Sequence, residues 1–340
     1  MRNDARRRVV VLALASLSAT CFAQGQYQAV IMTPEGQRSS GAYTIDRRET
    51  GGVAGNAVLW KGSAKNVVDL HPAGALSSSV RGSWRGTQVG FVQVPGFASH
   101  AALWKGSAGS FVDLHPVHLG AESSYGWGAH GDQQVGWGHF RTGQQRYSRA
   151  LLWRGSADSC VILHPIGFEQ SEAYGVGGAE QVGVGKLFGG PGQALLWRGS
   201  AASVVNLTPL PLYTAGVATC TDGLVQGGWA QEALTGTDHA MIWRGSASSS
   251  LDLHPSGYVS SQVHGLSGSL QVGSATTIDG EFEHAIIWSG TAESAHDLHS
   301  YLPAGFSHST AYAVAPDGTV VGVAYDGSFF RHAVMWKPVQ

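Results

Sequence analysis

The sequence predicts an all-β protein: a seven-bladed β-propeller of four-stranded antiparallel blades, closed by an N-terminal strand that joins the last blade. Two observations predict it. A tryptophan ends an apolar strand every 44–49 residues, and each such period holds four short strand-like segments. Periods of this length with several strands are typical of propeller blades. The repeated tryptophans are Trp60, Trp104, Trp153, Trp197, Trp243, Trp288 and Trp336.

One period shows all four predicted strands clearly, at residues 173–176, 181–185, 194–197 and 204–207. The third strand, Ala194-Leu195-Leu196-Trp197, is continuously apolar, which indicates that both of its faces are buried. Blades stacked face to face bury both sides of every sheet, whereas a two-sheet sandwich leaves alternating polar positions. The pattern therefore favours the propeller.

A tight hairpin is predicted between the third and fourth strands, because small, turn-tolerant residues such as Gly106-Ser107-Ala108 follow each repeated tryptophan. Pairing the strands about this turn sets Trp104 opposite Phe111 and His100 opposite His115.

The two ends of the repeat region predict how the ring closes. Residues 30–34 align with the fourth strands of later periods, such as residues 68–72, whereas the chain ends in a third strand at residues 334–337. The fourth strand missing from the last blade is therefore supplied by the N-terminus. Residues 27–32 are expected to lie beside residues 331–336, which removes an open sheet edge.

The first residues differ in character from the repeats. Four arginines precede an apolar run at residues 9–19, and small residues lie just before Gln24. This is typical of a secretory signal peptide, and the apolar run is too short to span a bilayer. We expect residues 1–23 to be a signal peptide and residues 24–340 a single propeller domain, secreted to the periplasm or the cell exterior.

Composition argues against several classes of partner. Only 13% of residues are charged and the formal net charge is −2, so no basic surface exists to attract nucleic acid. We expect the mature chain to be a monomer with no transmembrane segment and no cofactor.

Three motifs resemble a known family: His100-Ala101-Ala102-Leu103-Trp104, Asp113-Leu114-His115 and Gln134-Val135-Gly136. Through these motifs the chain resembles the extracellular HAF-repeat family of bacterial secreted proteins. The resemblance covers essentially the whole mature chain. The family pattern has Phe where this chain has Ala102, and Gly where it has His115. The resemblance implies a secreted repeat protein of unassigned activity, and it carries no catalytic residue.

Paired histidines are a candidate metal site. His100 with His115, His239 with His254, and His284 with His299 should meet across hairpins, near Asp113, Asp252 and Asp297. Two imidazoles and a carboxylate can hold zinc or copper. Other blades replace the pair by Asn56/His71, Arg149/His164 and Gln193/Thr208, which favours interchangeable hydrogen bonding. We therefore predict a structural role and no metal.

Ligand contacts are sought among aromatic and cationic residues outside the repeat. Trp84, Trp127, Trp137 and Trp229 lie off the tryptophan register and are better binding candidates than the repeated ones, which we expect in the core. Variable loops on one face of the ring carry further candidates. The predicted ligand-binding residues are Trp137, His139, Phe140, Arg141, Tyr147 and Trp229.

No catalytic residue is identified from these patterns. The Gly-Ser-Ala turns lack the strand-to-helix context of a serine nucleophile, and the acidic residues are too scattered to suggest a carboxylate pair. The first expectation is a secreted, non-enzymatic binding or scaffold protein for a glycan or a surface protein. The alternative is a polysaccharide hydrolase or lyase, which acidic side chains, or Arg, His and Tyr side chains, clustered around one mouth of the channel would favour. A third possibility is a surface structural protein with no small ligand.

Overall fold

The computed structural model describes residues 25–96 and 98–339, and the expected signal peptide lies outside them. These residues form seven four-stranded antiparallel sheets, which are the blades of a propeller. The strands are β1 (Tyr27–Ile31), β2 (Ser40–Asp46), β3 (Glu49–Ala54), β4 (Asn56–Lys61), β5 (Val67–Asp69), β6 (Ser77–Trp84), β7 (Thr87–Gln93), β8 (Ser99–Trp104), β9 (Val112–Asp113), β10 (Ser123–His130), β11 (Gln133–Thr142), β12 (Gln145–Trp153), β13 (Val161–Ile162), β14 (Phe168–Gly177), β15 (Glu180–Leu187), β16 (Gly192–Trp197), β17 (Val205–Asn206), β18 (Tyr213–Thr221), β19 (Gln226–Glu232), β20 (Asp238–Trp243), β21 (Leu251–Asp252), β22 (Tyr258–Ser267), β23 (Leu270–Thr277), β24 (Glu283–Trp288), β25 (His296–Asp297), β26 (Phe306–Val314), β27 (Val320–Asp326) and β28 (Arg331–Pro338).

Blade 1 consists of β2–β5, blades 2 to 6 each take the next four strands in order, and blade 7 consists of β26–β28 together with β1. The first strands of neighbouring blades contact one another around the ring, including β2 with β26, so these strands line the central channel. Helical structure among the described residues is limited to short 3-10 turns. They span Ala108–Ser110, Val117–Leu119, Ala157–Ser159, Ala201–Ser203, Ala247–Ser249, Ala292–Ser294 and His299–Tyr301.

Ring closure follows the sequence prediction. In blade 7 the strand order is β1-β28-β27-β26, so the N-terminal strand is its outermost member. Tyr27 pairs with Pro338 and Ile31 with Val334. The Met32 amide donates to the Ala333 carbonyl at 2.7 Å, and the Met32 side chain is fully buried.

The repeated tryptophans form the core between blades, as expected. All seven are 0% exposed. Seven clusters of buried apolar side chains each join two neighbouring blades, and each cluster contains one of these tryptophans. Trp153 of blade 3, for example, packs with Leu103 of blade 2. The predicted hairpin register is confirmed too, since Ala102 pairs with Asp113 and the Trp104 and Phe111 rings lie 6.1 Å apart.

A serine near the start of most first strands joins each blade to the previous one. Ser78 Oγ accepts a hydrogen bond from the Ala57 amide at 3.0 Å and lies 2.8 Å from His71 Nδ1. Between blades 4 and 5 the serine is replaced by Gly216. There Thr208 Oγ1 itself accepts the Ala194 amide at 2.9 Å, and a Cβ at Gly216 would come within 3.1 Å of that oxygen. These contacts fix where each first strand begins.

Candidate functional site

Every first strand carries a β-bulge at the same place, three residues after the joining serine or its replacement. In all seven blades the register with the second strand shifts there by one residue. The bulged residues, one per blade in order, are Tyr43, Arg81, Trp127, Tyr174, Thr219, His264 and Tyr312. We call this set the bulge ring.

The bulges explain how side chains reach the channel. A regular first strand turns its side chains alternately toward the two neighbouring blades and presents only its backbone edge to the channel. A bulge inserts an extra residue and re-aims its side chain. Small residues flank the bulges because the backbones approach closely: a Cβ at Gly82 would come within 2.5 Å of the Trp127 carbonyl oxygen. The blade scaffold is thus repeated, whereas the bulge-ring side chains are not.

The bulge ring lines a cavity of about 600 Å³ in the channel. This volume lies within the ~300–1,000 Å³ typical of small-ligand sites. All seven bulge-ring residues line it, together with Trp137, Glu172 and Trp229. The channel therefore holds the main candidate site of the described residues.

One side of the cavity is cationic and rich in hydroxyl groups. The Arg81 guanidinium lies over the Tyr43 ring at 4.2 Å and the Trp127 ring at 5.0 Å. The Tyr43 and Tyr312 rings are 5.4 Å apart, and Tyr312 lies 5.5 Å from the His264 ring. Arg331 does not line the cavity, and its guanidinium lies 5.6 Å from the Tyr43 ring. Arg, Tyr and His side chains are therefore contiguous along blades 6, 7, 1 and 2.

Arg81 has no anionic partner among the described residues. No carboxylate forms an ion pair with it, and its Nε is buried without a hydrogen-bond partner. Burial lowers the pKa of Arg81, although a guanidinium stays charged in proteins. A half-buried cation left unpaired carries a desolvation cost that a bound anion would offset.

The neighbouring tyrosine and histidine have shifted proton affinities. Burial and the nearby Tyr43 hydroxyl raise the pKa of Tyr312, so this phenol keeps its proton at neutral pH. Burial lowers the pKa of His264, so its imidazole is neutral there, and His264 Nε2 lies 3.2 Å from Ser274 Oγ. A neutral imidazole can accept a proton and a protonated phenol can donate one.

The other side of the cavity is aromatic. The Trp127 ring lies 4.9 Å from Trp137 and 6.0 Å from Tyr174, and Trp137 is 5.7 Å from Tyr174. The Tyr174 hydroxyl donates to Glu172 at 2.6 Å. Burial, followed by the Glu172 carboxylate, raises the pKa of Tyr174. These faces suit stacking on a sugar ring, with the Glu172 carboxylate available to its hydroxyl groups.

The structure brings together only two of the six predicted ligand-binding residues, because Trp137 and Trp229 both line the channel cavity. Trp127, another tryptophan outside the repeat register, joins them, whereas Trp84 lies 3.9 Å from the His130 ring and outside the cavity.

The other four predicted residues are engaged elsewhere. Phe140 is 7% exposed and packs in the core between blades 2 and 3. His139 Nδ1 lies 2.9 Å from Ser123 Oγ, and Arg141 forms an ion pair with Glu122 at 2.6 Å. The Tyr147 hydroxyl donates to Gln145.

Sequence reasoning missed most of the bulge ring, including Tyr43, Arg81, Tyr174, His264 and Tyr312. A signal for them exists. Each lies three residues after the joining serine and between two small or β-branched residues, as in Ser78-Ser79-Val80-Arg81-Gly82. The large residue at that position varies from blade to blade, so the pattern shows only when it is aligned on the serine.

The paired histidines occupy hydrogen-bonding positions. His100 and His115 stack at 4.0 Å, and equivalent pairs lie at 4.2 and 4.1 Å. His100 Nδ1 bonds Asp113 at 2.8 Å, and His115 Nδ1 lies 2.9 Å from Ser124 Oγ. Parallel rings do not direct their free nitrogens at one point. Residues 25–96 and 98–339 contain no cluster of three or more potential metal ligands.

Partly buried histidines, in the pairs and elsewhere, make the stability of the fold depend on pH. Burial is the largest cause of a lowered pKa at His115, His130, His139, His164, His254, His264 and His299. The unfolded chain binds these protons near pH ~6.5 and the folded protein only at lower pH. Stability is therefore fully present above about pH 6.5 and is lost as the pH falls through the folded-state values.

We expect the melting temperature to fall between about pH 7.5 and pH 5.5, with uptake of several protons on unfolding. Thermal melts across this range measure the slope. The double variant His254→Thr, Ser261→Gly copies the Thr208/Gly216 arrangement between blades 4 and 5. It should lower the number of protons taken up on unfolding by about one, and so reduce the slope of stability against pH. A melting temperature that does not change over this range would contradict the assignment of neutral, buried histidines.

Within the described ranges, no helix is long and apolar enough to cross a bilayer. No protein-family model matches the sequence, and no curated protein matches it. The resemblance to the HAF-repeat family therefore stays a prediction.

Solved structures do match the fold. Puromycin hydrolase is 13% identical with a TM-score of 0.62, over 87% of this chain and 51% of that one. A prolyl endopeptidase is 11% identical with a TM-score of 0.53, over 88% and 47%. The chain thus spans about half the length of these two proteins. Oligogalacturonate lyase from Vibrio parahaemolyticus is 10% identical with a TM-score of 0.52, over 93% of this chain and 98% of that one.

These comparisons correct one expectation from the sequence. A non-enzymatic protein was expected, but the matching structures are named as a hydrolase, an endopeptidase and a lyase. That expectation was wrong. It rested on a search for catalytic groups in repeated motifs and loops, whereas the Arg, His and Tyr side chains that line the channel lie at non-repeating bulges. At 10–13% identity the similarity itself establishes the propeller fold.

Proposed function

We propose that this protein is a lyase that cleaves an acidic polysaccharide by β-elimination within its propeller channel. The observation that carries the proposal is Arg81, an unpaired, half-buried guanidinium held among aromatic rings in a cavity of about 600 Å³. A guanidinium binds carboxylates through two parallel hydrogen bonds, and the aromatic faces beside it suit sugar rings. A sugar that carries a carboxylate, a uronate, satisfies both features.

The arrangement fits the chemistry of elimination from a uronate. A base removes the proton on C5, next to the carboxylate, and the C4–O bond to the neighbouring sugar breaks. The electron pair of the C–H bond forms a C4–C5 double bond, and the departing oxygen takes a proton. Negative charge grows on the carboxylate during the first step, so a cation there lowers the barrier.

Three groups in the cavity match these requirements. Arg81 would hold the carboxylate and stabilise its developing charge. His264, neutral because burial lowers its pKa, would accept the C5 proton. Tyr312, 5.5 Å from the His264 ring and protonated because its pKa is raised, would donate to the leaving oxygen. Tyr43 lies between Tyr312 and Arg81 and completes the row.

Hydrolysis is supported less well by the cavity. A glycoside hydrolase of the usual kind needs two carboxyl groups on opposite sides of the scissile bond. Glu172 is the one carboxylate among the described lining residues. Elimination needs no carboxylate pair, and the near full-length similarity to an oligogalacturonate lyase adds support for it.

An assay with several polysaccharides tests the proposal. The purified protein is incubated with polygalacturonate, alginate and hyaluronate, and with neutral galactan as the control. Elimination gives products with ultraviolet absorbance from the new double bond. We expect this signal on at least one acidic polymer and none on galactan. New reducing ends without ultraviolet absorbance would indicate hydrolysis and overturn the lyase assignment. The absence of any product would overturn the proposal that the protein is an enzyme.

Secretion is part of the proposal, since an enzyme reaches an extracellular polymer only when it is exported. We also propose that the repeat is of the HAF type, because of the three motifs that resemble that family. Sequencing the N-terminus of the protein recovered from outside the cytoplasm tests the first. We expect it to begin at Gln24.

A further inference from the structure

A second, smaller cavity adjoins the channel site. It has a volume of about 230 Å³ and lies on blade 4, where this blade meets blade 3. Two of its lining residues, Glu172 and Tyr174, also line the main cavity, so the two cavities are neighbours. Its other lining residues are Ser148, Gln170, Ser171, Val184, Lys186 and Gly192.

The smaller cavity offers polar groups that can bind a ligand. Lys186 lines the cavity and is exposed, and no described carboxylate forms an ion pair with it. The Gln170 side chain accepts a hydrogen bond from Ser148 at 3.2 Å, which leaves its amide nitrogen to donate elsewhere. Gly192 keeps the space open, because a Cβ there would come within 3.1 Å of Val184.

A continuous aromatic wall leads from one cation to the other. The Arg81 guanidinium lies 5.0 Å from the Trp127 ring, Trp127 lies 4.9 Å from Trp137, and Trp137 lies 5.7 Å from Tyr174. Tyr174 then borders the cavity that contains Lys186. Aromatic faces in series can support consecutive sugar rings.

Glu172 separates the two cations along this path. Its carboxylate accepts a hydrogen bond from Tyr174 at 2.6 Å and borders both cavities. A carboxylate accepts hydrogen bonds from sugar hydroxyls but repels a uronate carboxylate. It would therefore favour a sugar that turns its hydroxyl groups toward Glu172 and its acidic group away.

We infer that the smaller cavity on blade 4 is a second uronate subsite, in which Lys186 and Gln170 bind the carboxylate of a sugar farther along the chain than the one held by Arg81. This inference rests on the proposed function and narrows it. The substrate is an acidic oligosaccharide that spans both cavities, so the protein discriminates by chain length as well as by charge.

Calorimetric titration with purified oligogalacturonates tests the subsite without relying on turnover. The dimer, trimer and tetramer are titrated into the native protein and into K186Q, K186E and R81Q. Neutral galactose oligomers of equal length are the ligand control. K105Q is the matched protein control, because Lys105 is an exposed lysine on the hairpin between β8 and β9, away from both cavities.

We expect affinity to rise with chain length in the native protein and in K105Q. Because exposed ion pairs are weak, K186Q should lose about two- to fivefold in affinity for the longer oligomers. K186E should lose more, because it places a negative charge there. Neither variant should change the affinity for the dimer. R81Q should weaken binding of all lengths.

Two different failures are distinguishable. If R81Q weakens binding of all lengths but K186Q and K186E keep the native gain with length, the second subsite is wrong and the channel site stands. If R81Q binds all of them as the native protein does, the proposed function fails together with the inference. If no oligogalacturonate binds, the inference fails, and the proposed function then stands only if alginate or hyaluronate is cleaved. Equal gains with neutral oligomers would also overturn the carboxylate subsite.

Discussion

Replacing Arg81 by glutamine is expected to lower kcat/KM on the acidic polymer that the protein cleaves by about 10²–10³-fold, the range found when a preorganised charge-stabilising group is removed. Glutamine keeps hydrogen-bonding capacity and much of the length but removes the charge. Because Arg81 has no ion pair to lose among the described residues, the folded structure should tolerate the change. Steady-state kinetics and thermal melts on the same preparation measure both effects.

Arg149→Gln is the matched control for this variant. Arg149 also lies over an aromatic ring, Phe140, at 5.5 Å, and its Nε is also buried without a partner, but it does not line the channel cavity. Its loss should lower the melting temperature about as much as the Arg81 change and leave kcat/KM near the native value. Similar activity in the two variants would show that Arg81 has no special part in the reaction.

Removing the N-terminal strand should have the largest effect on stability. A chain that begins at Glu35 loses β1 and the fully buried Met32, and it leaves β28 as an open edge. Loss of one buried methionine costs about 2–5 kcal/mol, and the remaining strand contacts add to it. We expect the melting temperature to fall by about 10 °C or more relative to the chain that begins at Gln24, with aggregation on heating.

Two controls separate strand loss from simple truncation. A chain that begins at Gln26 keeps every β1 pairing and should melt as the mature protein does. Moving residues 26–38 to the C-terminus through a short glycine linker should restore stability, since the Val339 amide already lies 2.8 Å from the Gln26 carbonyl. If the chain that begins at Glu35 melts at the native temperature, closure by strand exchange is refuted.

The scaffold could be predicted from the sequence because it is periodic. The tryptophan spacing indicated the blade number, and the hairpin turn indicated the opposition of His100 and His115, whose rings stack at 4.0 Å. The alignment of residues 30–34 with later fourth strands predicted the closure, which β1 and β28 confirm. Each of these features depends on backbone pairing and core burial, which impose the same residue types on every blade.

The channel site could not be predicted in the same way, because its side chains vary from blade to blade. A bulge is a property of backbone pairing, and its local signals are the serine three residues earlier and the pair of small or β-branched residues around it. Selecting aromatic and cationic residues outside the repeated positions also predicted the ligand-binding residues only in part. It selected Trp137 and Trp229, which line the cavity, but also Phe140, which is only 7% exposed in the core.

The most direct test of the central claim is a crystal structure of the His264→Gln variant with a trimer of the acidic polymer that the native protein cleaves, since loss of the proposed base should leave the ligand intact. We expect the trimer in the channel, with one carboxylate in hydrogen-bonding contact with the Arg81 guanidinium and a sugar ring against Trp127. A trimer bound outside the bulge ring, or a channel that stays empty at saturating ligand, would contradict the proposed channel site.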